Sequence, residues 1–306
     1  MSVELCGLTL AHPVINGSGT FDALAARKAF GAALDEEFPF AAYVSKTITL
    51  EPRAGNPPPR LWETPAGLVN SIGLPNKGLA AYLAVDLPEL ATLPVPLITN
   101  VMGSTAAEIT QLVEACDVRV EIAAVELNVS CPNVRTGLDI GADPRQLEEV
   151  VRTVRGKTGK PLIVKLTPNT ADVVACALAA QAGGADAVSL INTLRATAFT
   201  PRVSPLATAG APAESPRRWL GGGSGGLSGP AIRAVALAQV AAVAERVAIH
   251  TIGMGGVQSA AHARELLDVG ARLVAVGTAS FRDPPVGARI ARELDSALLS
   301  PIRGQA

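Results

Sequence analysis

The chain has few aromatic residues, few cysteines and almost no net charge. Only 3% of its 306 residues are aromatic, so any core must be packed from Ala, Val, Leu and Ile. Its 26 Lys and Arg against 27 Asp and Glu leave a net charge of −1, which creates no field to draw in nucleic acid or an anionic membrane. Four cysteines, Cys6, Cys116, Cys131 and Cys176, stand far apart without a Cys-x-x-Cys pair. That spacing argues against a zinc site, a disulfide framework and an iron–sulfur cluster held by this chain. No basic stretch followed by a small-residue cleavage site opens the chain, and Glu4 falls where a signal peptide would be cationic. The most apolar helical stretch, Ala234–Ala244, is too short to span a bilayer and is interrupted by Gln239. Internal repeats, low-complexity tails and linkers are also missing. The expectation is a cytoplasmic protein with reduced thiols, folded as one domain over residues 1–306, with neither a nucleic-acid nor a membrane partner.

Abundant apolar residues (48%), 29 Gly and 23 Pro describe buried strands joined by many turns. Short runs rich in Val and Ile predict strands at Pro13–Asn16, Ala42–Lys46, Leu97–Val101, Ala124–Val129, Pro161–Leu166, Ala187–Asn192, Val247–Ile252 and Arg272–Gly277. Most are near-continuous apolar runs, as parallel strands covered on both faces require. Ala-rich segments of helical period separate them: Thr105–Asp117, Asp143–Thr158, Thr170–Ala182, Gly229–Ala244, Gln258–Val269 and Pro284–Leu299. Asp143-Pro144 and Asp283-Pro284 put proline in a first helical turn. Eight strands alternating with helices predict a (β/α)₈ TIM barrel. Two connections are too long for one βαβ unit, the Pro-rich stretch Pro52–Pro65 after strand two and the Gly- and Ser-rich stretch Arg195–Gly226 after strand six. Long insertions of this kind usually build lids or sites.

A TIM barrel carries its active site at the C-terminal ends of its strands. The residues there are Lys46-Thr47, Asn100, Asn128 with Cys131 and Asn133, Lys165, and Asn192-Thr193. One Asn at such a place is as readily a turn or cap residue. Asn or Lys at five successive strand ends instead implies a planar, hydrogen-bonding ligand on the barrel axis. Strands seven and eight run into Gly253-Met254-Gly255-Gly256 and Gly277-Thr278, where backbone N–H groups can approach a phosphate. Gly221-x-Gly223-x-x-Gly226 fits the dinucleotide fingerprint in form only, since it does not directly follow a strand. Two lysines at strand ends raise Schiff-base chemistry as a rival, but no carboxylate is evident at a strand end beside either. Lys165 is better read as a charge held near the pyrimidine ring of a flavin.

The run Asn128-Val129-Ser130-Cys131-Pro132-Asn133-Val134 resembles the active-site motif of the soluble, cysteine-using dihydroorotate dehydrogenases. The resemblance extends over nearly the whole chain. Gly17 to Phe21, Lys46-Thr47, Gly55-Asn56-Pro57 through Arg60, Asn70 to Leu74, Lys165 to Asn169, Ile191-Asn192-Thr193 and Gly225 to Pro230 all look like motifs of that family, in its order. It fades between Thr197 and Arg218.

The resemblance implies an FMN enzyme that oxidises dihydroorotate to orotate in pyrimidine biosynthesis. FMN would be contacted by Ser18, Lys46, Thr47, Asn100, Asn128, Lys165, Ile191 and Gly226, with Gly255, Gly256, Gly277 and Thr278 around its phosphate. Substrate would meet Lys46, the segment Asn70, Ser71, Ile72, Gly73 and Leu74, then Asn128, Asn133, Asn192 and Thr193. Cys131 would be the general base, which a thiol can be when partly ionised, its ordinary pKa being about 8.5. The Gly225–Pro230 run and the Lys46-Thr47 pair look most like the catalytic subunit of the partnered type, 1B. That type implies a homodimer of barrels and an electron-transfer subunit holding FAD and a [2Fe–2S] cluster. Rival readings are the self-sufficient, fumarate-using type 1A, a non-redox phosphate-binding barrel such as a lyase, and a barrel kept only for binding.

Overall fold

The computed structural model describes residues 2–129, 140–200 and 216–299. Eight parallel strands form the barrel: β1 (Val14–Asn16), β2 (Tyr43–Val44), β3 (Leu97–Val101), β4 (Ile122–Asn128), β5 (Leu162–Lys165), β6 (Ala187–Leu190), β7 (His250–Met254) and β8 (Leu273–Val276). They pair in the order 2-3-4-5-6-7-8-1, each parallel to its neighbour, as a (β/α)₈ barrel demands. Between β1 and β2 no regular ladder forms. The seam is closed by the Ala41 N–H donating to the Val14 carbonyl and by the Asn16 carboxamide bonding to the Val44 peptide.

All eight predicted strands are present. The seventh lies later than expected, at His250–Met254 instead of Val247–Ile252, because the Val247 N–H still bonds back to Val243 at the end of the preceding helix. The six predicted helices form with side-chain caps at Thr105, Asp143, Asp172 and Ser259, each accepting from a first-turn N–H. In Pro144–Arg155, Leu147, Val150, Val151 and Val154 make one buried stripe against the barrel.

Side chains of a strand alternate between faces, and two cores result. Outward-facing residues such as Val125, Leu127, Val164 and Val188 pack under the helices. Inward, Ile15, Val44, Ile98, Ala124, Ile163, Ala187, Ile252 and Leu273 fill the barrel. An antiparallel hairpin, Val3–Leu5 with Leu8–Leu10, puts Leu5 and Leu10 onto that inner core. Two residues further along, the same inner face turns polar with Asn100, Glu126, Lys165 and Ser189, all buried.

The two long insertions meet. Leu61–Thr64 and Gly67–Asn70 form a hairpin after β2; Leu194–Ala196 and Gly225–Ser228 pair after β6. Gly226 aligns with Asn70, so the four strands make one antiparallel sheet at the C-terminal end of the barrel. No local pattern distinguished these Gly- and Pro-rich stretches from irregular loops. The Gly223 region also leads into the strand Gly225–Ser228 and not into a helix, which removes the dinucleotide fingerprint. Short helices at Ala23–Phe30, Ala32–Glu36 and between Gly78 and Leu90 were likewise unforeseen. Among the described residues no helix is long and apolar enough to cross a membrane.

Candidate active site

The strand ends and the added sheet enclose a cavity of about 550 Å³, within the range of small-molecule and cofactor sites. Its floor and walls come from the end of β5 and from the loops after β1, β2, β6, β7 and β8. Ser18, Lys46, Lys165, Ile191, Asn192 and Thr193 line it, as do Gly255, Gly256, Gly277 and Thr278. The insertion sheet adds Asn70, Ile72, Gly73 and Leu74 from above. Residues expected from seven separate stretches of sequence thus share one cavity.

Lys165 ends β5, is only 6% exposed and lines the cavity. A lysine this deeply placed beside a cavity favours a ligand that answers its charge. Lys46 also lines the cavity, and its ammonium lies 3.1 Å from where a Cβ on Gly19 would sit. Gly19 (φ +73°) is therefore the residue that leaves room for that side chain. Two cations in one enclosed cavity suit an anionic ligand. At its other end, Gly255 and Gly256 have φ of +135° and +71°. Cβ atoms there would meet Ala236 and Arg233 at 2.6 and 2.8 Å. This bare backbone forms a cradle beside Thr278, whose hydroxyl bonds Ser228 at 2.8 Å.

Other expected residues stand one layer behind the wall. The Asn128 amide donates to the Thr47 hydroxyl at 3.3 Å, and Thr47 lies 3.4 Å from the Ser18 hydroxyl, which donates to the Ser45 carbonyl at 2.8 Å. Asn100 is fully buried. Its N–H donates to Ser45 Oγ and its amide to Glu126 at 2.5 Å, leaving Oδ1 unpartnered. Ser71 is also buried, and its hydroxyl accepts from Asn56. Gly226 supports Thr193 from the sheet, since a Cβ would fall 1.9 Å from the Thr193 hydroxyl oxygen. Cys131 and Asn133 lie outside the described residues.

Glu126 was missed. It lies inside the barrel two residues before the end of β4, where its oxygens accept from Asn100 and from Ser189 at 2.7 Å. No ion pair joins it to Lys165. The signal was a single carboxylate in the apolar run Ala123-Ala124-Val125-Glu126-Leu127, which no solvent-facing position explains. The pocket also takes Thr20, from the Gly17 to Phe21 motif, and Leu61, Leu68, Gln258 and Phe281, which had no sequence signal.

The fold and cavity define a TIM-barrel protein with a cationic, glycine-cradled ligand site at the strand C-termini. The family model for dihydroorotate dehydrogenase matches residues 1–298, and the chain belongs to that family. It is 44% identical over 299 residues to the dihydroorotate dehydrogenase B (NAD(+)) catalytic subunit of Geotalea daltonii, covering 97% of this chain and 93% of that protein. Proteins of the same name from Citrifermentans bemidjiense and Geobacter sulfurreducens are 43% and 42% identical, covering 98% and 97% of this chain and 93% of each relative.

Proposed function

We propose that this chain is the catalytic subunit of a dihydroorotate dehydrogenase, oxidising dihydroorotate to orotate in pyrimidine biosynthesis, with FMN as cofactor. The observation that carries this reading is the near-full-length similarity to relatives named as such, with their match spanning every part of the cavity. The residues fit FMN. The Gly255, Gly256, Gly277 and Thr278 cradle suits the phosphate, and Lys165 in the cavity wall suits the electron-rich pyrimidine edge of the ring. Ser18, Lys46 and Ile191 would complete the contact, with Thr47, Asn100, Asn128 and Gly226 supporting it from behind.

When bound, FMN supplies the acceptor for the substrate hydride. The chain supplies the rest. Lys46 answers the substrate carboxylate, and Asn70, Asn192 and Thr193 offer donors and acceptors to its imide and amide edges. Asn128, which ends β4, and Asn133, five residues further along the chain, belong to the same set. Ile72, Gly73 and Leu74 cover the substrate from the insertion sheet and exclude water. Cys131, three residues after β4, takes the proton from the ring carbon next to the one that loses hydride. The chain folds as one FMN-binding domain over residues 1–306, acts in the cytoplasm and pairs as a homodimer. Electrons leave through a partner subunit carrying FAD and a [2Fe–2S] cluster to NAD, a reading supported by the words "catalytic subunit" and "NAD(+)" in the relatives' names.

The test is the visible spectrum of the purified chain. A yellow protein with a flavin spectrum that bleaches on anaerobic addition of dihydroorotate is expected. A colourless protein that binds no added FMN would remove the proposal.

A further inference from the structure

Two sequence features remain without a role in the cavity: Asn56, in the Gly55-Asn56-Pro57 motif, and the leading glycines of the Gly221–Gly226 run. Neither Asn56 nor Gly222 lines the pocket. The structure brings them together behind the segment Asn70–Leu74.

That segment leaves the insertion sheet at Asn70 and then turns through Gly73 (φ +76°) and Leu74 (φ +55°). A left-handed Leu is unfavourable and needs its surroundings to hold it. Asn56 supplies that hold on two sides. Its N–H donates to the Ile72 carbonyl at 3.0 Å and its side-chain amide donates to the Ser71 hydroxyl at 2.9 Å. Asn56 is itself braced by Arg60, whose Nε donates to the Asn56 carbonyl and whose Nη2 donates to Ala54 at 3.0 Å. The Arg60 carbonyl then accepts from the Ser71 N–H at 2.8 Å.

Two glycines make room for this arrangement. A Cβ on Gly73 would lie 2.4 Å from the Asn56 nitrogen, and one on Gly222 would lie 2.4 Å from Ser71 Oγ and 2.7 Å from Asn56 Nδ2. The Asn56 carboxamide is thus enclosed between two bare stretches of backbone. One belongs to the pocket wall and the other to the second insertion.

We infer that Asn56, walled by Gly222, is a positioning residue that sets Ile72, Gly73 and Leu74 against the substrate. This rests on the dihydroorotate reading above. The contacts proposed for FMN come from the end of β5 and from the loops after β1, β2, β6, β7 and β8, so loosening the Asn56 clasp affects the substrate and spares the cofactor.

The experiment compares FMN-loaded wild type with Asn56→Ala, Gly222→Ala and Asn56→Asp. Orotate affinity is read from the perturbation of the flavin spectrum, and flavin reduction is followed in rapid mixing with dihydroorotate. Losing one part-buried hydrogen bond predicts an orotate Kd and a dihydroorotate KM raised about five- to tenfold in Asn56→Ala. Flavin content and the limiting reduction rate should stay within about twofold of wild type. Gly222→Ala should shift the same two constants in the same direction. Asn56→Asp keeps the shape, the backbone donor and an acceptor for the Ser71 hydroxyl, and should recover most of the affinity. Flavin-loaded Asn56→Ala with an unchanged orotate Kd overturns the inference. So does loss of flavin and folding in both alanine variants, which would make the role purely structural. A wild-type flavin that dihydroorotate does not bleach is a different failure, that of the functional reading itself.

Discussion

The Asn16 carboxamide and the Val44 peptide face each other across the barrel seam and exchange two hydrogen bonds of 2.8 Å each. Asn16 is fully buried, and its side chain acts as a missing rung of backbone between β1 and β2. Its Nδ2 also reaches the Gly17 carbonyl at 3.1 Å, just where the first pocket loop begins. One side chain therefore links closure of the barrel to the start of the loop that carries Ser18.

Asn16→Ala leaves the Val44 N–H and carbonyl buried without these partners. Each orphaned group costs about 1–3 kcal/mol, so a loss of about 2–6 kcal/mol in unfolding free energy is expected. Urea denaturation of the purified variant measures it, and a midpoint equal to wild type would show that the seam does not need this amide.

Cys131→Ala should keep its flavin yet slow flavin reduction by dihydroorotate by about 10²-fold or more, the usual loss when a general base is removed. Cys131→Ser should retain activity displaced to high pH. Thiol chemistry gives an independent check. Burial, then the charge of Asp186, pushes the Cys6 thiol up to about 11, and burial pushes Cys116 up to about 12. Both stay protonated and unreactive near neutrality. Iodoacetamide at pH 7.5 should accordingly modify Cys131 first, with activity falling in step. Labelling of Cys6 at full activity loss would contradict the assignment.

Lys165→Ala removes the one positive charge that the described barrel interior places at the end of β5. FMN should be retained less tightly, and its reduction potential should fall by on the order of tens of millivolts. A spectroelectrochemical titration measures the potential. An adduct trapped on Lys165 by borohydride would instead point to imine chemistry.

Asp117 offers a pH test away from the site. The Thr158 hydroxyl at 2.6 Å and the Gly159 N–H at 2.8 Å both donate to its Oδ1, holding its carboxyl below the usual range. A depressed folded-state pKa contributes stability that is present above the unfolded value, about 3.9, and is lost as pH falls through the folded value. Asp117→Asn should therefore melt lower than wild type at neutral pH, with the gap narrowing below about pH 4. A gap independent of pH from 7 to 3 would assign the effect to something other than the charge.

The acceptor is testable by reconstitution. With four scattered cysteines and its glycine run leading into a strand, the isolated chain should reduce artificial dyes but not NAD. Addition of a flavin- and cluster-bearing partner subunit should restore NAD reduction. Rapid NAD reduction by the chain alone would refute the partner; efficient turnover with fumarate would place it with the self-sufficient type.

Much of this protein is determined by sequence acting locally. Apolar runs covered on both faces specify the eight strands, and Thr105, Asp143, Asp172 and Ser259 mark helix starts because each cap bonds an N–H within its own first turn. The polar residues at the strand ends follow from the same register, which is why Lys46, Lys165, Asn192 and Gly255 could be assigned to one site before any of them was placed. Tertiary structure decided what depends on partners distant in the chain. Asn70 and Gly226 are 156 residues apart, and only their pairing turns two loop-like stretches into a sheet over the cavity. Glu126 shows its function only through Asn100 and Ser189, which come from other strands. Asn56 likewise has no meaning without Gly73 and Gly222 on either side. Periodicity and capping are properties of a few consecutive residues and can be read in one dimension. Which backbones touch, and where a glycine must leave room for them, is settled only once the barrel has closed.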